Sequence, residues 1–480
     1  MLQLIALIPL LAGIAAYFLP VMAGRVLLLA TAVIHLTLTG VEWFQLVDPL
    51  PVLVANYFNH HSPEGMIVLS VLSFLFLFIA IYTACYMQET EMSREPVFNS
   101  CLLLFLAAMT MVTSANHIIM LWVAVEATTL MSAPLIFIRR SKHALEATWK
   151  YVLICSVGIA LALLGCFFII LSMELGGLDI PITFSSLRAH AGQLNPFWLK
   201  AGFVFIVIGY GTKMGLAPMH TWLPDAHSES PSPASALLSG ALLNCAFLGI
   251  YRCHQLMHDA GLGEYSSSVL IAFGLISMLV SAIFILNQTD YKRMLAYSSI
   301  ENMGIIALGT GIGGLAAFGA MLHLIHHSLL KSSLFLSAGN ILLGYGSKLI
   351  DRTGGMTRLF PKTAVTFFAG FLGISGFPPF GLFLSELLII LGAIRAGRLV
   401  TVSLFIFCLV LIFAGASRLV LRMVFGDRDD DEMLVPERWL RVMSPLLLLL
   451  TSLALVIWMP ETLTQTILKA ISPIGGSIHG

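Results

Sequence analysis

Apolar residues in this chain run in long uninterrupted stretches. They do not alternate as in a strand, nor form the narrow stripe of a surface helix. The first stretch, LQLIALIPLLAGIAAYFL, is long enough to cross a bilayer and lacks a basic leader, so a first spanning helix is expected there and not a cleaved signal. Cutting the chain at charge clusters and Gly/Pro punctuation predicts about fourteen such helices. They begin near residues 2, 25, 65, 97, 115, 147, 198, 232, 267, 298, 315, 363, 399 and 443. The expected fold is an all-α integral membrane protein, because backbone in hydrocarbon must satisfy its own hydrogen bonds and these runs do not suit a barrel.

Basic residues between the helices set the orientation. With the N-terminus outside, the inside loops carry Arg25, Arg94, Arg139, Arg140, Lys142, Lys292, Arg293, Lys348, Arg352, Arg358 and Lys362. The outside loops hold only Arg188, Arg395, Arg398 and Lys469, and an even helix count places both termini outside. The loops 48–64 and 174–197 are caps by length, and the acidic run 429–432 is a solvated segment of an inside loop. Composition agrees with a membrane location: 58% of residues are hydrophobic and 10% charged, against about 25% charged in soluble domains. Mean hydropathy is +0.93. The 25 basic and 25 acidic residues balance, which leaves no net field for nucleic acid. Seven cysteines (85, 101, 155, 166, 245, 253 and 408) are scattered without CxxC spacing. No iron–sulfur or zinc site, and no cofactor, is expected from them.

The chemistry is carried by the few charges inside apolar runs. Lys213 follows FVFIVIGYG and precedes MGLAP, and an ammonium in mid-bilayer costs about 2.5–3.5 kcal/mol on insertion scales. Pro218, five residues on, breaks the helix, and such breaks are tolerated where protein or a water-filled cavity satisfies the freed groups. Glu126, deep in HIIMLWVAVEATTLMSAPLIF, is the expected partner for Lys213, each holding the other charged. His323, His327 and Lys331 recur every four residues and stack on one helical face, forming a proton relay. His326 points about 100° away and is expected to pack. Zinc at the histidine pair is a weaker reading, since no carboxylate or cysteine completes that face. Glu386 follows a second break, Pro378–Pro379, and is expected as the far terminus of the relay. His220, Trp222, Asp225 and His227 are expected at the inside end of the first break, gating water or capping the turn. Lys150 either tunes the Glu126–Lys213 pair or snorkels from its helix start. Two broken helices, each beside a charge, suggest an inverted-repeat transporter.

KMGLAPMHTWLPDAHSESPSPASALL, NQTDYKRMLAYSSIENMGII and HLIHHSLLKSSLFLSAGNIL stand here in the order seen in the proton-translocating NADH-quinone oxidoreductase/Mrp antiporter membrane subunits, and the chain resembles that family over nearly its whole length. The resemblance implies fourteen helices with two inverted five-helix repeats. It divides the chain into helices 1–3 (residues 1–96), a first repeat (97–258), a second repeat (259–425), and a polar inside loop with the last helix (426–480). It implies Glu126 and Lys213 as a charge pair, His323, His327 and Lys331 as relay, and Glu386 as outlet. One position departs: GALLNCAFLG stands where the family usually has a lysine, so Asn244 occupies a site that cannot hold a proton charge near neutral pH. Asn244 and LEATWKYVLICSVGIALALLG are most similar to the hydrogenase-4 component F branch, of group 4 membrane-bound hydrogenase or formate hydrogenlyase type.

The expected function is proton translocation, or sodium-coupled transport, in the cytoplasmic membrane of a bacterium or archaeon. The redox work would lie in partner subunits, with other membrane subunits and a peripheral arm holding iron–sulfur and nickel–iron hydrogenase centres. The rival readings are the equivalent complex I subunit, a stand-alone or Mrp-type cation/proton antiporter, and a structural anchor with a dead channel.

Overall fold

The computed structural model describes residues 2–45, 62–90, 94–427 and 435–475; the acidic run 429–432 and most of the 48–64 loop lie outside the described residues. Each predicted start lies within about seven residues of the start of a helix, the largest offset being at Tyr291, where the sequence pattern predicts a start near 298. The first six are α1 (Leu2–Phe18), α2 (Val21–Trp43), α3 (Pro63–Thr90), α4 (Glu95–Ser114), α5 (Ile118–Phe137) and α6 (Lys142–Leu175). A short α7 (Phe184–Ala189) caps the following loop, and α8 (Pro196–Met214) with α9 (Trp222–Glu229) forms the first broken helix. Next, α10 (Ser232–Leu237) runs through a π-helical turn, Leu238–Leu242, into α11 (Leu243–Asp259). Then come α12 (Gly263–Ile285), α13 (Tyr291–Ile312) and the long α14 (Gly314–Tyr345). A short α15 (Met356–Leu359) leads to the second broken helix, α16 (Pro361–Ile374) and α17 (Gly381–Arg395). The described chain closes with α18 (Leu399–Phe425), α19 (Trp439–Ile457) and an amphipathic α20 (Glu461–Ile471) that the apolar pattern does not predict. No strand occurs among the described residues beyond two isolated bridges, His117 with Thr183 and Asp290 with Leu349.

Local chemistry starts several helices. Pro196 opens α8, where its missing N–H would be unpaired anyway, and the Asn195 side chain accepts from the Phe197 and Trp198 amides. Asp290 caps α13 by accepting from the Lys292 and Arg293 amides. Nine helices among the described residues are long and apolar enough to cross a membrane alone. The helices α8 and α14, which carry Lys213 and the His323, His327 and Lys331 file, are not among them, nor is α13.

The bundle has a repeating pattern of neighbours. Helix α4 packs on α5 as α12 packs on α13, α5 on α6 as α13 on α14, and α6 on α8 as α14 on α17. Two of these seams are backbone-to-backbone. A β-carbon on Gly209 of α8 would lie 2.5 Å from the Ala162 nitrogen and 2.6 Å from the Gly158 carbonyl oxygen of α6. On Gly274 of α12 it would lie 2.7 Å from the Gly304 carbonyl of α13. Small residues permit this approach, and in lipid, with no hydrophobic drive between helices, close packing of this kind carries much of the association.

Candidate proton path

The first break holds Lys213 in the last turn of α8. Gly215 takes a left-handed conformation, φ 83°, that ends the helix, and the turn from there to α9 contains Pro218. The backbone groups freed at the break find partners: the Thr212 carbonyl accepts from the Trp222 indole at 2.8 Å, and the Ala217 amide donates to the Ser277 hydroxyl at 2.9 Å. Lys213 is completely buried. Its ammonium donates to the Tyr151 hydroxyl of α6 at 2.6 Å and sits 4.7 Å from the centre of that ring. Tyr151 in turn shares a 2.6 Å hydrogen bond with Ser132 of α5.

The expected direct pair between Glu126 and Lys213 is not formed; no ion pair within 4 Å joins them, though the Glu126 charge is felt at the lysine. The reason is where Glu126 stands along and around α5. Glu126 precedes Ser132 by six residues on α5, about 9 Å of helical rise. Lys213 reaches α5 at the level of Ser132, through Tyr151, while the Glu126 carboxylate accepts from Thr129 at 3.2 Å and remains half-buried.

The second break runs from Ser375 to Phe380, through Pro378 and Pro379, between α16 and α17. Glu386 lies five residues into α17, 7% exposed. Gly376, at φ +66°, brings the break's backbone so close that a β-carbon there would sit 2.2 Å from a Glu386 carboxylate oxygen. Facing this break, α14 buries His323, His327 and Lys331 completely. His323 hydrogen-bonds Ser385 of α17 and Asn302 of α13, each at 2.9 Å, so neither ring nitrogen is free to ligate a metal. Neither nitrogen of His327 bonds a protein group. Lys331 donates to the Leu295 carbonyl of α13 at 2.8 Å. His326 turns away to Ser452 of α19, 2.9 Å, and its ring packs where Gly381 leaves no side chain.

Asn244 sits just after the π-helical turn, a distortion frequent at functional sites. Its amide donates to Ser328 of α14 at 2.7 Å and to the Gly240 carbonyl at 3.0 Å. The asparagine therefore joins α11 to the α14 file, one residue from His327. A parallel link runs from Ser239 to Ser299 of α13 at 2.8 Å, and Ser299 shares the Leu295 carbonyl with Lys331.

At the other end of α9, His227 is fully buried and stacks on Phe335 with ring centres 4.6 Å apart. His220 packs against Phe284 and Tyr297. Lys150 and Asp225 bond each other and charges at the helix ends, with no bond to Lys213 or Tyr151 among the described residues. Lys150, 46% exposed at its side chain, pairs with Glu146 at 2.6 Å and Asp225 at 3.0 Å, and Asp225 also binds Arg293. These charges lie near helix ends where water is accessible, so snorkelling accounts for them. The same edge of the bundle holds Lys348 bonded to Glu229 at 2.7 Å and Ser228 bonded to Asp290 at 2.6 Å.

Two residues central to the geometry escape a reading of the sequence. Tyr151 is an ordinary aromatic in an apolar run, and only its position opposite Lys213 gives it a role. Glu301 of α13, 4% exposed, lies in a segment, YSSIEN, polar enough that its charge does not stand out.

Residues 115–413, more than half the chain and the span holding every site residue above, match the family model described as NADH:quinone oxidoreductase/Mrp antiporter, TM. A hydrogenase-4 component F homolog of Methylacidiphilum infernorum (isolate V4) is 36% identical over 408 residues, covering 82% of this chain and 86% of the relative. NADH-quinone oxidoreductase subunit N of Desulforudis audaxviator (strain MP104C) is 30% identical over 346 residues, covering 71% and 67%. Among solved structures, a chain of the membrane-bound sulfane sulfur reductase, an archaeal respiratory membrane complex, superposes with TM-score 0.87 at 22% identity, covering 99% of this chain and 98% of that one. The broken helices, the buried lysines and histidines and these matches agree: the chain belongs to the NADH:quinone oxidoreductase/Mrp antiporter family of membrane subunits.

Proposed function

We propose that this subunit carries protons across the membrane for a hydrogenase-4 or formate hydrogenlyase-type complex. The observation that carries the reading is the file of buried titratable side chains running from one broken helix to the other. Lys213 with Tyr151, then Asn244, His327 and Lys331, then Glu386 occupy the bundle interior, where isolated charges are expensive and persist when function requires them. In this reading Lys213 and Lys331 hold and release protons, Glu126 biases Lys213 from a distance, and Glu386 is the outlet. Asn244 orders the transfer between the halves by hydrogen bonding without itself titrating. The repeats span 97–258 and 259–425, and His227 and His220 stand at the inner mouth. Electrons pass through partner subunits with iron–sulfur and nickel–iron centres.

The test is to purify the complex containing this chain, reconstitute it in proteoliposomes, and follow proton uptake on addition of its electron donor. Co-purified hydrogenase subunits and donor-dependent uptake support the reading. Purification without redox subunits, with cation/proton exchange on an imposed gradient, would replace it by the antiporter reading.

We also propose that both termini face outward across a cytoplasmic membrane, with Arg139, Arg140 and Lys292 on the inner side, from the basic-loop asymmetry. A cysteine introduced at Ser141 should react with a membrane-impermeant thiol reagent in inverted vesicles and not in intact cells. The opposite labelling would reverse the orientation.

A further inference from the structure

Between Lys331 and Glu386 the histidine file gives no continuous hydrogen-bonded connection, since neither nitrogen of His327 bonds a protein group among the described residues. The file ends on His323, whose nitrogens are occupied by Ser385 and Asn302. A different connection is built from cavities. Glu301 lines a void of about 20 Å³ together with Leu295, Ser298 and Ser375, a size that admits about one water. Leu295 is the residue whose carbonyl accepts the Lys331 ammonium, so the lysine's anchor and the Glu301 side chain share one chamber. Ser375, Leu409 and Phe413 also line an open groove of about 300 Å³ at the surface of the bundle, beside exposed Phe383 and Val410, that reaches Glu386. The small chamber and the groove meet at Ser375, where α16 ends and the break begins. Charge couples the same three groups, Glu301 being felt at both Lys331 and Glu386.

We propose that Glu301 is the proton carrier between Lys331 and Glu386; the proposal rests on the translocation reading above and names the step it leaves open. The Lys331 ammonium gives its proton to the Glu301 carboxylate through the small chamber. An N–H bond breaks, an O–H bond forms, and both groups become neutral, which lifts the desolvation penalty of a buried pair. The O–H of Glu301 then breaks as its proton passes beside Ser375 to the Glu386 carboxylate. Glu301 is again negative and attracts the next proton arriving at Lys331. One proton moves and no electron is involved. A static counter-ion would hold the same position but stay ionised throughout.

The experiment uses the assembled complex in proteoliposomes, with uptake normalised to complex content, and compares wild type, Glu301→Gln, Glu301→Asp and Lys331→Met. Glu301→Gln keeps the side-chain shape and should lower uptake on the order of tenfold or more, with Glu301→Asp restoring much of it. Infrared difference spectra during turnover should show a protonated-carboxyl band that Glu301→Gln lacks. The same band in Glu301→Gln would overturn the assignment and leave Glu301 a counter-ion. Full uptake in Glu301→Gln with loss in Lys331→Met overturns the role of Glu301 alone, whereas full uptake in both also overturns the translocation reading.

Discussion

Replacing Lys213 by methionine should abolish proton uptake, a loss on the order of a hundredfold, while the complex assembles at close to its normal level. Lys213 is wholly enclosed, and among the described residues its ammonium's hydrogen-bond partner is Tyr151. Lys213 forms no salt bridge with any of them within 4 Å, so the methionine breaks no closed ion pair, the case in which loss of one partner costs most. Tyr151 keeps its hydrogen bond to Ser132, so no group is stranded. Lys213→Ala is a different experiment, because it also leaves a cavity, and truncations of that size cost about 2–5 kcal/mol. The methionine variant therefore isolates the charge from the packing. Quantifying assembled complex and uptake in the same inverted vesicles gives both numbers, and full uptake with Lys213→Met would remove this residue from the path.

The second large effect belongs to a glycine far less conspicuous than any charge. Gly209→Val should cut assembly severely and disable whatever complex forms. Its β-carbon would press on the Ala162 nitrogen and the Gly158 carbonyl, which are backbone atoms and cannot rotate aside. Overpacking in a well-packed core costs about 1–3 kcal/mol and more where backbone must move. The damage is also directed. Gly209 and Lys213 are four residues apart on one face of α8, and Tyr151 is on α6, the helix that Gly209 touches. Forcing α8 off α6 thus draws the ammonium away from its hydroxyl partner. Detergent-extracted complex yield and per-complex uptake measure the two consequences, and wild-type values for both would mean that the seam can open without cost.

What the sequence revealed and concealed follows from the physics of each residue. Lys213 and Lys331 stand out because a cation in an apolar run has no ordinary reason to be there. Pro378 and Pro379 of the second break and Pro218 of the first stand out for the same kind of reason, since they contradict the helix around them. Glu126 was equally visible, but its partner was not. Along a single sequence nothing registers which level and face of one helix meets another, and six residues, about 9 Å of rise, separate Glu126 from the serine where the Lys213–Tyr151 pair meets α5. Lys150 shows the same limitation: its charge was apparent, while its exposure and its attachment to Glu146 and Asp225 are properties of the assembled helix ends. Glu301 was hidden by its polar neighbours, so contrast, the signal that found the lysines, was missing. Asn244 was legible only as a departure, and its bond to Ser328 comes from the contact of two distant segments.

The unequal hydropathy of the helices also bears on how the protein is made. The segment formed by α10, the π turn and α11 is apolar enough to enter lipid unaided, with mean hydropathy 1.6, yet all of that window is enclosed in the finished protein. It can leave the translocation channel into the bilayer and wait there for the later helices to surround it. Helices α13 and α14 have no such freedom. Glu301, Lys331 and three histidines travel on them, and each full charge adds about 2.5–3.5 kcal/mol to a lone passage through hydrocarbon. They must pass from the ribosome's exit onto a protein surface already waiting in the membrane, one that α3 and α10, both earlier in the chain, help to supply for α14. The order of the segments is then itself a folding instruction: α3 and α10 are synthesised before α14 and form part of the surface on which its charges are received.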